Sequence, residues 1–350
     1  MKPGPQSNAF VDPKILVPEK KNVVKMKSLL ENFPELSLQQ NFFSISKTDE
    51  NESHTCESIH DLAYNDTPFL SPLLISAFMI LLNKPISVYI LENGHFVTAI
   101  DQDINSLSIA KKLKEEFRNI FFHQINFKDL DLLNLGKEKF DFILLDLGFS
   151  SDQLDDSKIG LSFKINSNLN MNYLGGDKNA YKIINHYNKD ELQRVFYFYG
   201  EINQAEKLAK YIVNQRSIKS IDTNFELIKI LRDSGVNFRS KKIHFATQAF
   251  QALRIETNKE LDNLVEFLKK VHDYLDIDAY LAIISFHSLE DRIVKNYFKE
   301  NKLKKNKDFN NKKNWGFENL TKKPIIASNS EIYENHRSRS AKLRVGKFIN

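Results

Sequence analysis

A chain of 350 residues has room for two packed units, since domains commonly run about 100–200 residues, and 41% hydrophobic residues with 11% aromatics supply a core. Eleven glycines and nine prolines exclude a collagen-like or linker-type chain, and a single cysteine, Cys56, excludes an internal disulfide framework. The formal charge of +5 favours an anionic partner without demanding one, and no apolar run reaches the roughly 18–20 residues that span a bilayer.

Residues 1–65 are polar and weakly periodic, with three prolines in the first thirteen positions, and read as a disordered arm. The longest apolar run, Leu70–Leu82, reads as part of a buried helix over 67–83 that packs on a sheet. Ser87–Leu91 (SVYIL) is a second apolar run, and Asn93-Gly94 after it is a hairpin-turn pair. Phe96–Asp101 (FVTAID) predicts a strand ending in an acid, Ser106–Phe117 a basic helix, and Asn119–Gln124 a third strand. The stretch FILLDLGFSSDQLDD, Phe142–Asp156, is the most informative. Its apolar run within Asp141–Leu145 has the continuous character of a buried parallel strand, and it delivers Asp146 to the carboxyl edge, where open α/β sheets bind ligands.

From Tyr181 to Tyr274 the pattern is helical without a strand. Asn188 with Glu191 and Thr223 with Glu226 fit capping boxes, Gly200 and Gly235 sit where helices stop, and Leu261, Leu264, Val265, Leu268, Val271 and Leu275 form one stripe. Tyr280–Phe286 returns to an apolar strand followed by His287-Ser288-Leu289-Glu290-Asp291-Arg292. Asn301–Asn329 is a Lys- and Asn-rich loop, and Ser338–Val345 predicts an edge strand. Strands alternating with helices, then a helical block, then a strand again give an α/β sheet with an inserted helical domain. The boundaries are 66–175 with 276–350 for the sheet domain and 176–275 for the insert.

The segments LDLGFSSDQLDD, FATQAFQALRIETNKEL (245–261), ISFHSLEDRIVK (284–295) and SRSAKLRV (338–345), in that order, closely resemble the MraW/RsmH family. That family comprises S-adenosylmethionine-dependent methyltransferases that act on a cytosine N4 of small-subunit ribosomal RNA, with mitochondrial relatives in eukaryotes. The resemblance covers about Thr67 to Val345. It implies a Rossmann-like methyltransferase sheet, S-adenosyl-L-methionine as cofactor, and ribosomal RNA or the small ribosomal subunit as partner. Bacterial members begin near the motif that TPFL resembles, so the preceding segment hints at an organellar protein, in the mitochondrial matrix if eukaryotic and otherwise cytoplasmic.

A nucleoside cofactor in such folds is held by a carboxylate at the end of the second strand, and Asp101 is suited to that role. The resemblance adds Asp103, sets Phe127 against the adenine ring, and maps cofactor contacts onto Asp146 and Gln153. A carboxylate accepts from an ammonium and an amide both donates and accepts. Attack of an exocyclic amine on a sulfonium methyl needs in-line placement and a proton acceptor; Asp146 or a backbone carbonyl near Gly148 fits. His287, Ser288, Glu290 and Asp291 are contiguous, which argues against a hydrolase triad, because one turn cannot aim all of them at one atom. They read as a structural and substrate-side loop. Nine scattered histidines show no HExxH motif, and no metal-ligand set is visible. Lysines at 302–313 and the basic tail Arg337, Arg339, Lys342, Arg344 and Lys347 suit phosphate contact.

The chain departs from the resemblance in two respects. A glycine-rich loop is missing after the first strand. If KPISVYI starts that strand and LENGHFVTAID carries the second, only Glu92–His95 join them, far fewer than the dozen or so residues a parallel crossover takes. The sheet is therefore expected to be incomplete around strand one, through an omitted block in the gene model or a true loss. Asn166, Asn170 and Asn172 also stand where the family carries two aspartates and an arginine, and Gln248 stands for an arginine. Two functions follow: an active methyltransferase, or a catalytically impaired pseudoenzyme acting as an RNA-binding or ribosome-assembly factor.

Overall fold

The computed structural model describes residues 73–78, 87, 90–91, 94–103, 106–136, 138–150, 153–154, 156–238, 244–303 and 315–350. The arm at 1–65 and most of the lysine-rich stretch lie outside the described residues.

The sheet runs in the order β3-β2-β1-β4-β5-β8-β6, with β7 also paired to β8. Its strands are β1 (Leu73–Phe78), β2 (Phe96–Ile100), β3 (Ile120–His123), β4 (Phe140–Asp146), β5 (Leu275–Ser285), β6 (Gly316–Asn319), β7 (Ile325–Ile326) and β8 (Lys342–Ile349). β1 to β5 pair in parallel, and β8 joins β5, β6 and β7 antiparallel. Period-two alternation sorts the central strands. Ile143, Leu145, Leu281 and Ile283 face one layer, while Phe142, Leu144, Ala282 and Ile284 face the other. Each such side chain, when fully buried, contributes about 1.5–3 kcal/mol.

The predicted helix over 67–83 is corrected to strand β1. Short apolar runs do not distinguish a buried helix from a buried parallel strand by periodicity, and parallel strands covered on both faces read as continuous hydrophobic runs. The sheet is consequently complete at its first position, and residues 79–95 supply a crossover long enough for parallel pairing. SVYIL is no strand: Ser87, Ile90 and Leu91 are helical, with Ile90 and Leu91 buried against Val97 and Ile120. Asn93-Gly94 is no hairpin. Gly94, at φ +79°, donates to Leu91 O and is followed by His95 donating to Ile90 O, the way a glycine ends a helix.

Helix α1 (Ser106–Glu116) crosses from β2 to β3. A helical block follows β4: α2 (Ala180–His186), α3 (Lys189–Phe198), α4 (Ala205–Ile218), α5 (Asn224–Asp233) and α6 (Thr247–Asn258). Their inner faces share a cluster that includes Ile183, Phe196, Leu208, Leu227 and Leu253. Both capping boxes form at Asn188 and Thr223. The segment before the block is tied to it by Asn224, whose amide donates to Ser162 O and Ile165 O while its oxygen accepts from Ser167 N. After Lys259, at φ +51°, α7 (Glu260–Lys270) turns back. Its Leu264, Phe267 and Leu268 pack into the sheet's core with Ile143 and Leu281.

Helix α8 (Ser288–Glu300) follows β5, and α9 (Asn329–Glu334) precedes β8. The expected edge strand at 338–345 is instead an interior strand starting at Lys342, because β6 and β7 cover its far side. Those two strands fall within the stretch read as a loop. Arg344 on β8 donates to Asp291 at 2.7 Å, fastening α8 across the sheet.

Candidate functional site

The strand order reverses at β1, whose neighbours are β2 and β4; open parallel sheets bind ligands at such a point, outside the carboxyl ends. Ala77 of β1 is level with Ile100 and with Leu145, and Phe78 is level with Asp146. Asp101 and Asp146 therefore flank the tip of β1 on the same edge, two strand spacings or about 10 Å apart. Both follow residues of one core face, Ile100 and Leu145, so alternation aims both carboxylates the other way.

Asp101 is 7% exposed. Its Oδ1 accepts from Asp103 N at 2.8 Å and its Oδ2 from Ser106 Oγ at 2.5 Å. Burial pushes its pKa up to about 6, against the opposing pull of these two donors. A carboxylate has about four lone-pair sites, so acceptor capacity remains for further hydroxyl donors.

Asp146, half-buried, ends β4. The chain then turns through Gly148 at φ +105°, a conformation that favours glycine. Ser150 and Gln153 lock this loop reciprocally: Ser150 N donates to Gln153 Oε1 at 2.9 Å and Gln153 N donates to Ser150 Oγ at 2.8 Å. Gln153 Nε2 reaches Asp103 Oδ2 at 2.9 Å. The loops after β2 and β4 are thus joined, and Asp101, Asp103 and Gln153 come together. Phe127 opens a 3₁₀ turn (Phe127–Leu133) capped by Asn126. It is 4% exposed and edge-on to Phe267 at 5.7 Å. It is a core residue, and it also lines a narrow crevice with Gln102, Leu147, Gly148, Tyr173 and Glu290.

A buried polar network that sequence reasoning missed supports this crevice. Arg254 of α6 donates to both oxygens of Glu260, at 2.8 and 3.0 Å, and its guanidinium lies 4.7 Å from the ring centre of Phe149, in the loop after β4. Tyr173 OH donates to Glu260 Oε1 at 2.7 Å. Asn258 accepts from Tyr173 N and donates to Met171 O. Arg254 and Glu260 stand six apart across a helix break, so no local spacing rule links them. Their one signal was membership in the FATQAFQALRIETNKEL motif.

His287 caps α8: its Nδ1 accepts from Glu290 N, and Glu290 reaches back to the N–H groups of Phe286 and His287. Ser288 Oγ donates to Glu201 Oε2 at 2.7 Å, so His287 and Ser288 form no nucleophile–base pair. Among the described residues, Glu260, His287 and Glu290 bring ligand atoms within 4.8 Å of one another, near enough for a cation. The residues do not suit one. Arg254 already engages both Glu260 oxygens, and the cap makes Nδ1 an acceptor, leaving the ring proton on Nε2, 3.1 Å from Glu290 Oε1.

The asparagines that depart from the resemblance have local work. Asn172 Nδ2 donates to the carbonyls of Gly175, Gly176 and Lys178, and its Oδ1 accepts from Leu174 N and Gly175 N. Gln248 Nε2 donates to Gly200 O at 2.9 Å, beside Glu201, which sits at φ +50°. Asn170 donates to Lys158 O. No partner of Asn166 explains its substitution.

No described helix is long and apolar enough to cross a membrane. A ribosomal RNA small subunit methyltransferase H of Rickettsia africae (strain ESF-5) is 40% identical over 262 residues, 73% of this chain and 85% of that protein. The protein of the same name from Hydrogenobaculum sp. (strain Y04AAS1) is 41% identical over 72% of this chain and 81% of its own length. The solved structure of an rRNA methylase from Streptococcus thermophilus aligns over 80% of this chain and 87% of that one, at 9% identity and a TM-score of 0.35. The family model of the MraW methylases matches residues 87–349, a span that takes in β2 to β8, the helical block and the whole crevice wall, and by that match the chain belongs to the MraW methylase family.

Proposed function

We propose that this protein transfers a methyl group from S-adenosylmethionine to the N4 of a cytidine in small-subunit ribosomal RNA. The observation that carries the reading is the pair of carboxylates, Asp101 and Asp146, flanking the tip of β1 at the switch point, with Gln153 bonded across to Asp103. The substrate follows the relatives' names and the motif resemblance.

Bound S-adenosylmethionine would supply a methyl group on a positively charged sulfur. Asp101, with lone pairs still available, accepts from the two ribose hydroxyls. Phe127, buried but lining the crevice, would set its ring against the adenine. Gln153 holds the loop after β4 against the loop after β2. Asp146 would orient the exocyclic amine and take up the proton it loses as the new C–N bond forms and the methyl–sulfur bond breaks, the electron pair staying on the sulfur of the departing thioether; the carbonyl near Gly148 is the alternative acceptor. A well-placed base of this kind contributes about 10²–10⁴-fold.

Calorimetry with S-adenosylmethionine, followed by transfer of labelled methyl to small-subunit RNA, tests the reading. Saturable heat and N4-methylcytidine in digests are expected, with Asp146→Asn reducing turnover at least 100-fold. No heat at millimolar cofactor ends it. One observation favours a second reading, a cofactor-free RNA-binding assembly factor: the stretch MILLNKPIS after β1 holds no glycine, where phosphate- and nucleoside-binding crossovers bring backbone close to the ligand. That reading expects RNA binding of equal affinity with and without cofactor.

A further inference from the structure

Glu256 of α6, 8% exposed, takes three partners from three elements. Lys178 Nζ lies at 2.7 Å and Tyr187 OH at 2.9 Å from its Oε1, and Arg194 at 3.2 Å from its Oε2. Burial would raise its pKa, but Lys178, Tyr187 and Arg194 more than offset that and hold it lowered. Two cations share this one carboxylate, with Asp177, Asp190 and Glu191 the acids nearest along the chain, and the cations still reach water, at 34% and 46% side-chain exposure. Neither belongs to the crevice.

The cations are fixed in place. The Lys178 ammonium lies 5.6 Å from the ring centre of Tyr187, and Arg194 lies 5.8 Å from that of Tyr199. Tyr187 is itself anchored through its carbonyl by Arg216. Tyr197 and Phe198 follow Arg194 at three- and four-residue spacing and so share its helix face. They are 54% and 59% exposed and meet edge-to-face at 5.1 Å. The loop that carries Lys178 begins at Tyr173 and Leu174 in the crevice wall, four residues from the nearer cation.

We propose that this rim is a docking surface for single-stranded RNA, with backbone phosphates on Lys178 and Arg194 and unpaired bases stacked on Tyr197 and Phe198; it rests on the RNA-substrate reading above. Pre-ordered cations lose little side-chain freedom on binding, and exposed aromatics beside a positive groove suit bases of any sequence. A bare anion would use the cations and leave the rings idle.

The test is fluorescence anisotropy of the full chain with a labelled single-stranded RNA oligomer across a salt series, with inorganic phosphate as competitor. Lys178→Gln with Arg194→Gln is expected to flatten the plot of log K against log salt by about 1.4, two phosphates at about 0.7 each. Tyr197→Ala with Phe198→Ala, whose side chains are more than half exposed, is expected to weaken binding at least fivefold with the slope and the melting temperature unchanged. Phosphate at millimolar concentration displacing the RNA fully would mean cations alone and overturn the stacking half. Wild-type affinity and slope in both double variants would overturn the surface while leaving the RNA reading intact. Absence of RNA binding by the wild type would remove both.

Discussion

Gln153 Nε2 donates to Asp103 Oδ2 at 2.9 Å, and this one bond joins the loops that follow β2 and β4. Gln153 is 8% exposed, so a charge placed there is poorly screened by water. Gln153→Glu sets a second carboxylate against Asp103 and is expected to cost about 1–3 kcal/mol and to weaken cofactor binding at least tenfold. Urea unfolding and calorimetry read the two effects, and an unaltered affinity would detach Gln153 from the site.

If Asp101 holds the cofactor's ribose as proposed, binding is expected to depend on pH. Its pKa is raised to about 6 by burial, above the value near 3.8–3.9 of an unfolded aspartate. The folded state therefore holds the extra proton between those values. The stability this group contributes is fully present below about pH 4 and is lost as pH rises through 6, on the order of 3 kcal/mol in all. Hydroxyl donors need the carboxylate, so affinity for S-adenosylmethionine is expected to fall about tenfold per pH unit below 6, with proton release on binding near that pH. Asp101→Asn should abolish the release; persistence of the full pH dependence in that variant would point to another group.

Arg254 supports the site from behind. Replacing it by methionine strands Glu260, whose side chain is 8% exposed, and is expected to cost about 3–5 kcal/mol. Arg254→Lys keeps the charge but loses the two-pronged contact, and should fall between. A melting curve unchanged in the methionine variant would show that Glu260 is paired without it.

Asn172 uses both ends of its amide. Asn172→Asp turns a donor to three carbonyls into a fourth acceptor and is expected to destabilise the protein by about 1–3 kcal/mol. If chemical unfolding shows no loss, the loop at 172–178 holds itself.

Much of the frame was legible because its cues are local. Asn188 and Thr223 carry their capping partner three residues on, and the FILLD run can be little else than a buried strand meeting an edge acid. β1 was misread because LLISAF has no period of its own; only neighbours on both sides decide its state. That error also produced the supposed gap in the sheet. Asp101, Asp146 and Gln153 could be nominated from strand ends and motif likeness, whereas Ser106, Tyr173, Arg254 and Glu260 matter through contacts between distant segments, which no window of sequence contains.

The stacking of Arg254 on Phe149 sets an order of events. Helices α2 to α6 can knit their own interior from neighbours along the chain, but the loop holding Gln153 gains its prop only once α6 lies down on it, after some hundred intervening residues have been gathered in. A weakened molecule is expected to lose the proposed nucleoside site before it unwinds, with its helical dichroism persisting after cofactor binding has gone.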